Sequence, residues 1–269
     1  MTPIIADASV AAKWFVQEDH REDAARLLDR PLPLAAPDFV LTELANIIWK
    51  KCIKGEITRD HAALSSQTAA LAFQNIISAT GLLSHALEIG LELHHPIYDC
   101  IYLACAADLG GFVVTADRRF HAKTRGTRFK LLVRYVTDVE RVIAFSHLAV
   151  SLGTVMEIGE LAGLSRATHD AVYKELKKGL KAVTPLPSDP MEFPSPNHER
   201  LRKALAELSA EEHSDLLALA RFGDASPGEY NDWGQCRAQE NSQDMEPYFL
   251  SNMHFNLPLG IERFLTGPP

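Results

Sequence analysis

The sequence predicts an α/β fold, a parallel sheet flanked by helices, followed by a mainly α-helical C-terminal part. Three observations carry this. Short continuous apolar runs, Ile4-Ile5-Ala6 and Phe112-Val113-Val114-Thr115, have the length of buried strands. Helical patterns separate them, as parallel βαβ connections require. The charge then changes: residues 1–138 hold 15 basic and 16 acidic side chains, whereas the remainder holds 12 and 19. That shift places a domain boundary at 138/139 in a chain of 269 residues, long for one domain and comfortable for two.

Element by element, Pro3 to Ala6 reads as the first strand, with a turn-like Asp7-Ala8-Ser9 behind it. Pro37-Asp38 opens a helix through Ile48. Helices follow over 58–73, 81–93 and 97–109, the last stopped by Gly110-Gly111. Phe112–Thr115 is the second strand and Phe129–Val133 the third. Beyond 138, helical patterns cover 139–163 and 165–181. A linker at 184–197 then carries five prolines, which forbid regular structure. Helix resumes near His198, and Ser209-Ala210-Glu211-Glu212 reads as a capping box.

Composition narrows the function. Hydrophobic residues make up 46% and charged residues 23%, ordinary values for a folded soluble chain, and the net charge of −8 excludes a protein that adheres generally to polyanions. Ala62–Leu87 lacks Asp, Glu, Lys and Arg, but its serines, glutamines and asparagine suit packed helices better than a membrane span. Cys52, Cys100, Cys105 and Cys236 form no CxxC pair and no secretory signal opens the chain, so a reducing, cytoplasmic location is expected.

Ligands of open parallel sheets bind beyond the carboxyl ends of the strands. Asp7 and Asp117 stand there, each following a predicted strand. Either alone reads as a helix N-cap; two in one sheet point to a shared site. Glu43 has no intrahelical cation at its i+3 or i+4 neighbours, and Asn46 lies one turn along the same polar stripe. Asp99 precedes eight uncharged residues, Cys100 to Ala107, a run that reads as a buried helix. An unpaired anion there would be costly unless a metal ion or a basic partner met it. Four carboxylates without histidine at metal-like spacing describe a hard-cation site for Mg²⁺ or Mn²⁺, and such ions support phosphodiester hydrolysis.

Between Asp117 and Asp138 lie Arg118, Arg119, Lys123, Arg125, Arg128, Lys130 and Arg134 with no acid among them. The run suits a nucleic-acid backbone, with Arg118, Arg119, Lys123, Arg125 and Arg128 as the contacts expected, although a charge run by itself reads as a solvated face. His94-His95 reads as a loop pair, Cys100 and Cys105 as core, and Trp14 and Trp49 as packing. Glu229-Tyr230-Asn231-Asp232-Trp233 reads as either a contact patch or a helix start.

Four short segments in order, Ile5-Ala6-Asp7-Ala8-Ser9-Val10, Leu41-Thr42-Glu43-Leu44-Ala45-Asn46, Tyr98-Asp99-Cys100-Ile101-Tyr102-Leu103-Ala104 and Val113-Val114-Thr115-Ala116-Asp117, resemble PIN domains of the VapC toxin type. The resemblance covers residues 1–138. It implies a Mg²⁺- or Mn²⁺-dependent endoribonuclease, the toxin of a type II toxin–antitoxin pair, leaving 5′-phosphate and 3′-hydroxyl ends. It also implies a homodimer through this domain and a cognate antitoxin. Carried over by position, Asp7, Glu43, Asp99 and Asp117 are the metal ligands and catalytic acids, and Ser9, Asn46 and Thr115 support them. The alternatives are a nucleic-acid-binding module, or a structure-specific DNA nuclease using the same acids. Residues from about 145 onward resemble a small helical bacterial domain family of unknown function, most clearly through Ala204–Phe222 and Asp232-Trp233.

Overall fold

The computed structural model describes residues 1–29, 31–179, 195–224, 233, 236 and 247–266. Contacts divide the chain into two compact units: Met1–His147 with Ser151–Gly153, and Leu148–Val150 with Thr154–Pro269.

The first unit is built on a five-stranded sheet, β1 (Ile4–Ala6), β2 (Leu34–Pro37), β3 (Asn75–Ile77), β4 (Phe112–Thr115) and β5 (Val133–Tyr135). Every pairing is parallel and the order is β3-β2-β1-β4-β5. The helices are α1 (Ala8–Phe15), α2 (Arg21–Ala25), α3 (Phe39–Ile53), α4 (Arg59–Thr68), α5 (Ala79–Leu93), α6 (Ile97–Leu109), α7 (Arg118–Thr124) and α8 (Val139–Ser146). β1 and β4 are buried along their whole length, as continuous apolar runs at the centre of a parallel sheet should be. Residues Cys100–Ala106 of α6 are buried on every side, matching their uncharged sequence.

Two strands were not visible in the sequence. β2 starts after Pro31 and Pro33 and ends on Pro37, a proline-rich stretch that reads as loop. β3 is the exposed edge and has no apolar alternation; only backbone pairing with β2 makes it a strand. Its presence also cuts the expected 58–73 helix, which ends in a 3₁₀ turn at Ala69–Ala72 before Phe73 turns extended. The charge-free stretch Ala62–Leu87 is thus spread over α4, that turn, β3 and α5. The strand expected at Phe129–Val133 instead begins at Val133: Phe129, Leu131 and Leu132 are buried, but backbone pairing to β4 starts where Val133 meets Val113. Apolarity marks burial there, not pairing. Asp38 precedes α3, but its carboxylate accepts from Ala79 N at 3.0 Å and so serves the start of α5.

In the second unit lie most of α9 (Leu152–Gly179), then α10 (Pro196–Ala206), α11 (Ala210–Asp224) and α12 (Pro247–Thr266). Of the proline-rich 184–197 segment, residues 184–194 lie outside the described residues, as does Glu229–Asp232. Ser195 caps α10 by accepting from His198 N at 3.1 Å. The capping box forms as expected: Ser209 N donates to Glu212 at 2.8 Å and Glu212 N donates to the Ser209 hydroxyl at 3.3 Å. Ser209→Ala is expected to lower the stability of this unit by about 1 kcal/mol, read as a shifted midpoint in urea; no shift would show that the cap contributes nothing. α11 and α12 approach closely at two glycines, where a Cβ on Gly223 would strike the Asn256 backbone and one on Gly260 the Leu219 backbone. No helix among the described residues is long and apolar enough to cross a membrane.

Candidate active site

The sheet order places β1 beside β4 with the chain departing to opposite sides, the switch point at which α/β sheets form clefts. Asp7 leaves β1 and caps α1, its Oδ1 accepting from Val10 N at 3.0 Å. Asp117 follows β4 and caps α7, its Oδ1 accepting from Arg119 N at 2.7 Å and Phe120 N at 3.1 Å. Both bland readings of these acids therefore hold, and both acids still face the same sheet edge.

Ser9 and Thr115 link the two strand ends. The Ser9 hydroxyl donates to Asp7 Oδ1 at 2.6 Å and accepts from Ala116 N at 2.8 Å. Thr115 is fully buried; its hydroxyl accepts from Asp117 N at 2.9 Å and stands 3.5 Å from that of Ser9. These short polar side chains tie together the backbone between the two acids.

Glu43 on α3 accepts a hydrogen bond from the Tyr102 hydroxyl on α6, a ring that is otherwise buried. Asp99 is not the α6 cap, because Pro96 occupies that position. It sits in the first turn, half-exposed, with His95 Nε2 at 2.7 Å from its Oδ2. The His95 ring stacks on Phe120 of α7, 5.3 Å between centroids. Asn46 is exposed on α3, one turn beyond Glu43.

The electrostatics join these residues. Burial pushes the Asp7 carboxyl up to about 6, against the hydrogen bonds from Ser9, Thr115 and Val10, and the charge of Asp99 adds to the rise. Burial also raises Glu43, with Asp7 and Asp99 adding repulsion and the Tyr102 bond opposing. Asp99 is raised by burial and by Asp117, with His95 opposing. Asp7, Glu43 and Asp99 thus each feel another acid, and among the described residues no Lys or Arg forms an ion pair with any of the four. As placed, no three His, Cys, Asp or Glu side chains among the described residues converge on one ion position. Glu43 and Asp99 are turned toward Tyr102 and His95. By donor chemistry the set still fits a hard cation: all four offer carboxylate oxygen, and among the described residues only His95, at Asp99, opposes their repulsion.

Beside these acids opens a cleft of about 550 Å³, lined by Ser9, Ala12, Lys13, Glu18, Ile47, Ala116, Asp117, Arg118 and Arg119. The basic run is less uniform than its sequence. Arg118 donates to the Tyr135 hydroxyl at 3.2 Å. Arg128 is engaged by Glu92 through both oxygens and lies over the Phe129 ring. Arg134 is buried. Lys123 and Arg125 are exposed.

The sequence reading missed Tyr102 and His95 as part of the site. Tyr102 had a signal: it lies three residues after Asp99, hence on the same face of α6. His95 lies four residues before Asp99, but its place in a loop gave no direction. Trp14 packs as expected, its Nε1 donating to Ala24 O at 2.8 Å and its ring lying 5.5 Å from that of Phe73. Trp49 does not: it is 58% exposed. The apolar positions of α3 that reach the core are Val40, Leu44 and Ile48, and Trp49 falls a step past the last of them. Cys100 and Cys105 are buried and their thiols pushed up, to about 11 and about 12, so both are inert core groups.

The PIN domain family model matches residues 4–126, a stretch that contains all four acids. The chain is similar to Ribonuclease VapC3 of Pyrobaculum aerophilum, 29% identical over 122 residues, which take in 45% of this chain and 93% of that protein. It is also similar to the crystal structure of PAE2754 from Pyrobaculum aerophilum, with 23% identity and a TM-score of 0.41, over 53% of this chain and 90% of that one. Residues 4–126, with their parallel sheet and their acids at its carboxyl edge, are a PIN-domain segment of the VapC type.

Proposed function

We propose that the first unit is a nuclease that hydrolyses RNA with Mg²⁺ or Mn²⁺, and that it is the toxin of a toxin–antitoxin pair. One observation carries the reading. Within the PIN-matching segment, Asp7, Glu43 and Asp99 are each raised by burial first and then by another acid's charge, Asp7 by Asp99, Glu43 by Asp7 and Asp99, and Asp99 by Asp117, and no Lys or Arg among the described residues forms an ion pair with them. A relative named as a ribonuclease points the same way.

In this reading Asp7, Glu43, Asp99 and Asp117 hold the cation, which when bound supplies activation of water and neutralisation of phosphoryl charge. The chain's own groups do the rest. Ser9 and Thr115 keep the β1 and β4 ends in register, so Asp7 and Asp117 stay fixed relative to each other. Tyr102 orients the Glu43 carboxylate and His95 orients that of Asp99. The exposed Arg119, Lys123 and Arg125 offer charge to the RNA backbone, with Arg118 beside them. An antitoxin would act by covering the acids, and a homodimer would form through this unit; both belong to the proposal.

The test is cleavage of total cellular RNA by the full chain with Mn²⁺ or with EDTA. Metal-dependent fragments are expected; intact RNA under both conditions overturns the nuclease reading. A matched DNA strand alongside decides whether RNA is the substrate. Tyr102→Phe adds a finer check. Partners that orient a metal ligand are worth about 10–100-fold in metal affinity or activity, so the Mn²⁺ concentration for half-maximal cleavage should rise at least about tenfold. An unchanged metal requirement would remove Tyr102 from the site.

A further inference from the structure

The cleft beside the acids contains a lysine that the metal site does not use. Lys13 lies on α1 four residues after Ser9, so the two side chains share a helix face, and both line the cleft. It is 7% exposed, unusual for a lysine. Its Nζ donates to Glu18 Oε2 at 3.1 Å, while Lys51 Nζ on α3 reaches Glu18 Oε1 at 2.9 Å and Glu56 at 2.6 Å. Burial opposes the ionised form of Glu18, yet the bonds from Lys51 and Lys13 hold its carboxyl below the usual value.

Packing α1 against α3 does not by itself call for this charge. A buried ion pair contributes little net stability, and apolar groups of similar volume close such a gap as well or better. An ammonium has three donors; Glu18 takes one, and Lys13 has no other hydrogen-bond partner among the described residues. Across the cleft stand Arg118 and Arg119, so the lining presents three cations against Glu18 and Asp117. If Asp117 spends its charge on a cation, the cleft is strongly positive beside the reacting phosphate.

We propose that Lys13, together with Arg118 and Arg119, forms a binding subsite for an RNA phosphate next to the one cleaved. The proposal rests on the nuclease reading above and names how that site holds its substrate. Ser9 and Asp117 line both the acid cluster and the cleft, so a strand whose scissile phosphate meets the acids runs its neighbouring phosphate past Lys13. The buried stem holds the ammonium in place, which lowers the entropy lost on binding compared with a free surface lysine.

The experiment measures binding of a short fluorescein-labelled single-stranded RNA to the full chain in EDTA, where no cleavage is expected, over roughly 50 to 200 mM salt. Each phosphate neutralised on a single strand contributes about 0.7 to the slope of log K against log salt. Lys13→Gln is expected to lower the slope by about 0.7 and to weaken binding about three- to tenfold at low salt. Lys13→Arg should restore the slope, and Lys203→Gln, an exposed charge in the second unit, should leave it unchanged. The slope is the deciding readout because a smaller folded fraction shifts apparent affinity equally at every salt concentration. A wild-type slope in Lys13→Gln, or an equal loss in Lys203→Gln, overturns the subsite. RNA that binds through Lys13 but stays intact with Mn²⁺ overturns the nuclease reading and leaves the subsite standing.

Discussion

Asp7→Asn should abolish metal-dependent RNA cleavage, by at least about a hundredfold, while the first unit remains folded. Partners of metal ligands are worth about 10–100-fold, and a ligand itself should exceed them. The substitution is chosen for what it keeps. Asn retains an Oδ1 that accepts from Val10 N and from the Ser9 hydroxyl, so the α1 cap and the link to β4 survive. Asp7→Ala would lose the cap as well, at about 1 kcal/mol, and would confuse folding with chemistry. Asp99→Asn should behave alike, because His95 can still donate to the amide oxygen. Undiminished cleavage by either variant, with the wild-type circular dichroism spectrum, would remove that acid from the site.

The same acids should make the metal-free protein less stable as pH rises toward neutrality, and the direction follows from linkage. Asp7 has a folded value of about 6 against an ordinary 3.8. Between those values the folded state binds more protons than the unfolded state, so stability falls as pH rises through the window and levels off above it. For Asp7 alone the loss is on the order of 3 kcal/mol. Glu43 and Asp99 are raised too and act in the same direction, while the lowered Glu18 acts in the opposite one. The clean observable is therefore a difference. In EDTA, Asp7→Asn should gain on the wild type as pH goes from about 4 to 7, by several degrees in melting temperature for a unit of this size. At pH 7, Mn²⁺ should stabilise the wild type, by about 2.7 kcal/mol at a hundred times its dissociation constant, and should do much less for Asp7→Asn. Parallel melting curves for the two proteins across that pH range would contradict the burial and repulsion assigned to Asp7.

These two results bear on one design. Asp7 is buried and Glu43 and Asp99 partly so, and burial with acid–acid repulsion raises all three, a cost in the metal-free state that a divalent cation would offset. Ser9, Thr115, Tyr102 and His95 do the holding through hydrogen bonds. The cations stand one step away, in the Lys13, Arg118 and Arg119 cleft. In the proposed nuclease, that separation would leave carboxylate charge for a metal and ammonium or guanidinium charge for phosphate.

Much of this was written locally. β1, β4 and α6 announce themselves because each is a short run of one burial state, and burial on all faces leaves an uninterrupted apolar signature whatever the partner. Asp7 and Asp117 were readable because a cap is decided within a few residues, and Ser209 with Glu212 for the same reason. Tertiary structure decided what those segments meet. β3 is a strand only because β2 offers it a backbone edge; its own side chains carry no sign of that. Val133, rather than Phe129, begins β5 because register with Val113 is set across the sheet. The hydrogen bond from Tyr102 to Glu43 spans 59 residues and exists because α3 and α6 are packed so that those side chains meet. Local composition fixes whether a residue is buried or caps a helix, since neighbours along the chain supply those forces. Which charge faces which, at Glu43, Asp99 and Lys13 alike, depends on strand order and helix packing that bring distant residues within a few ångströms.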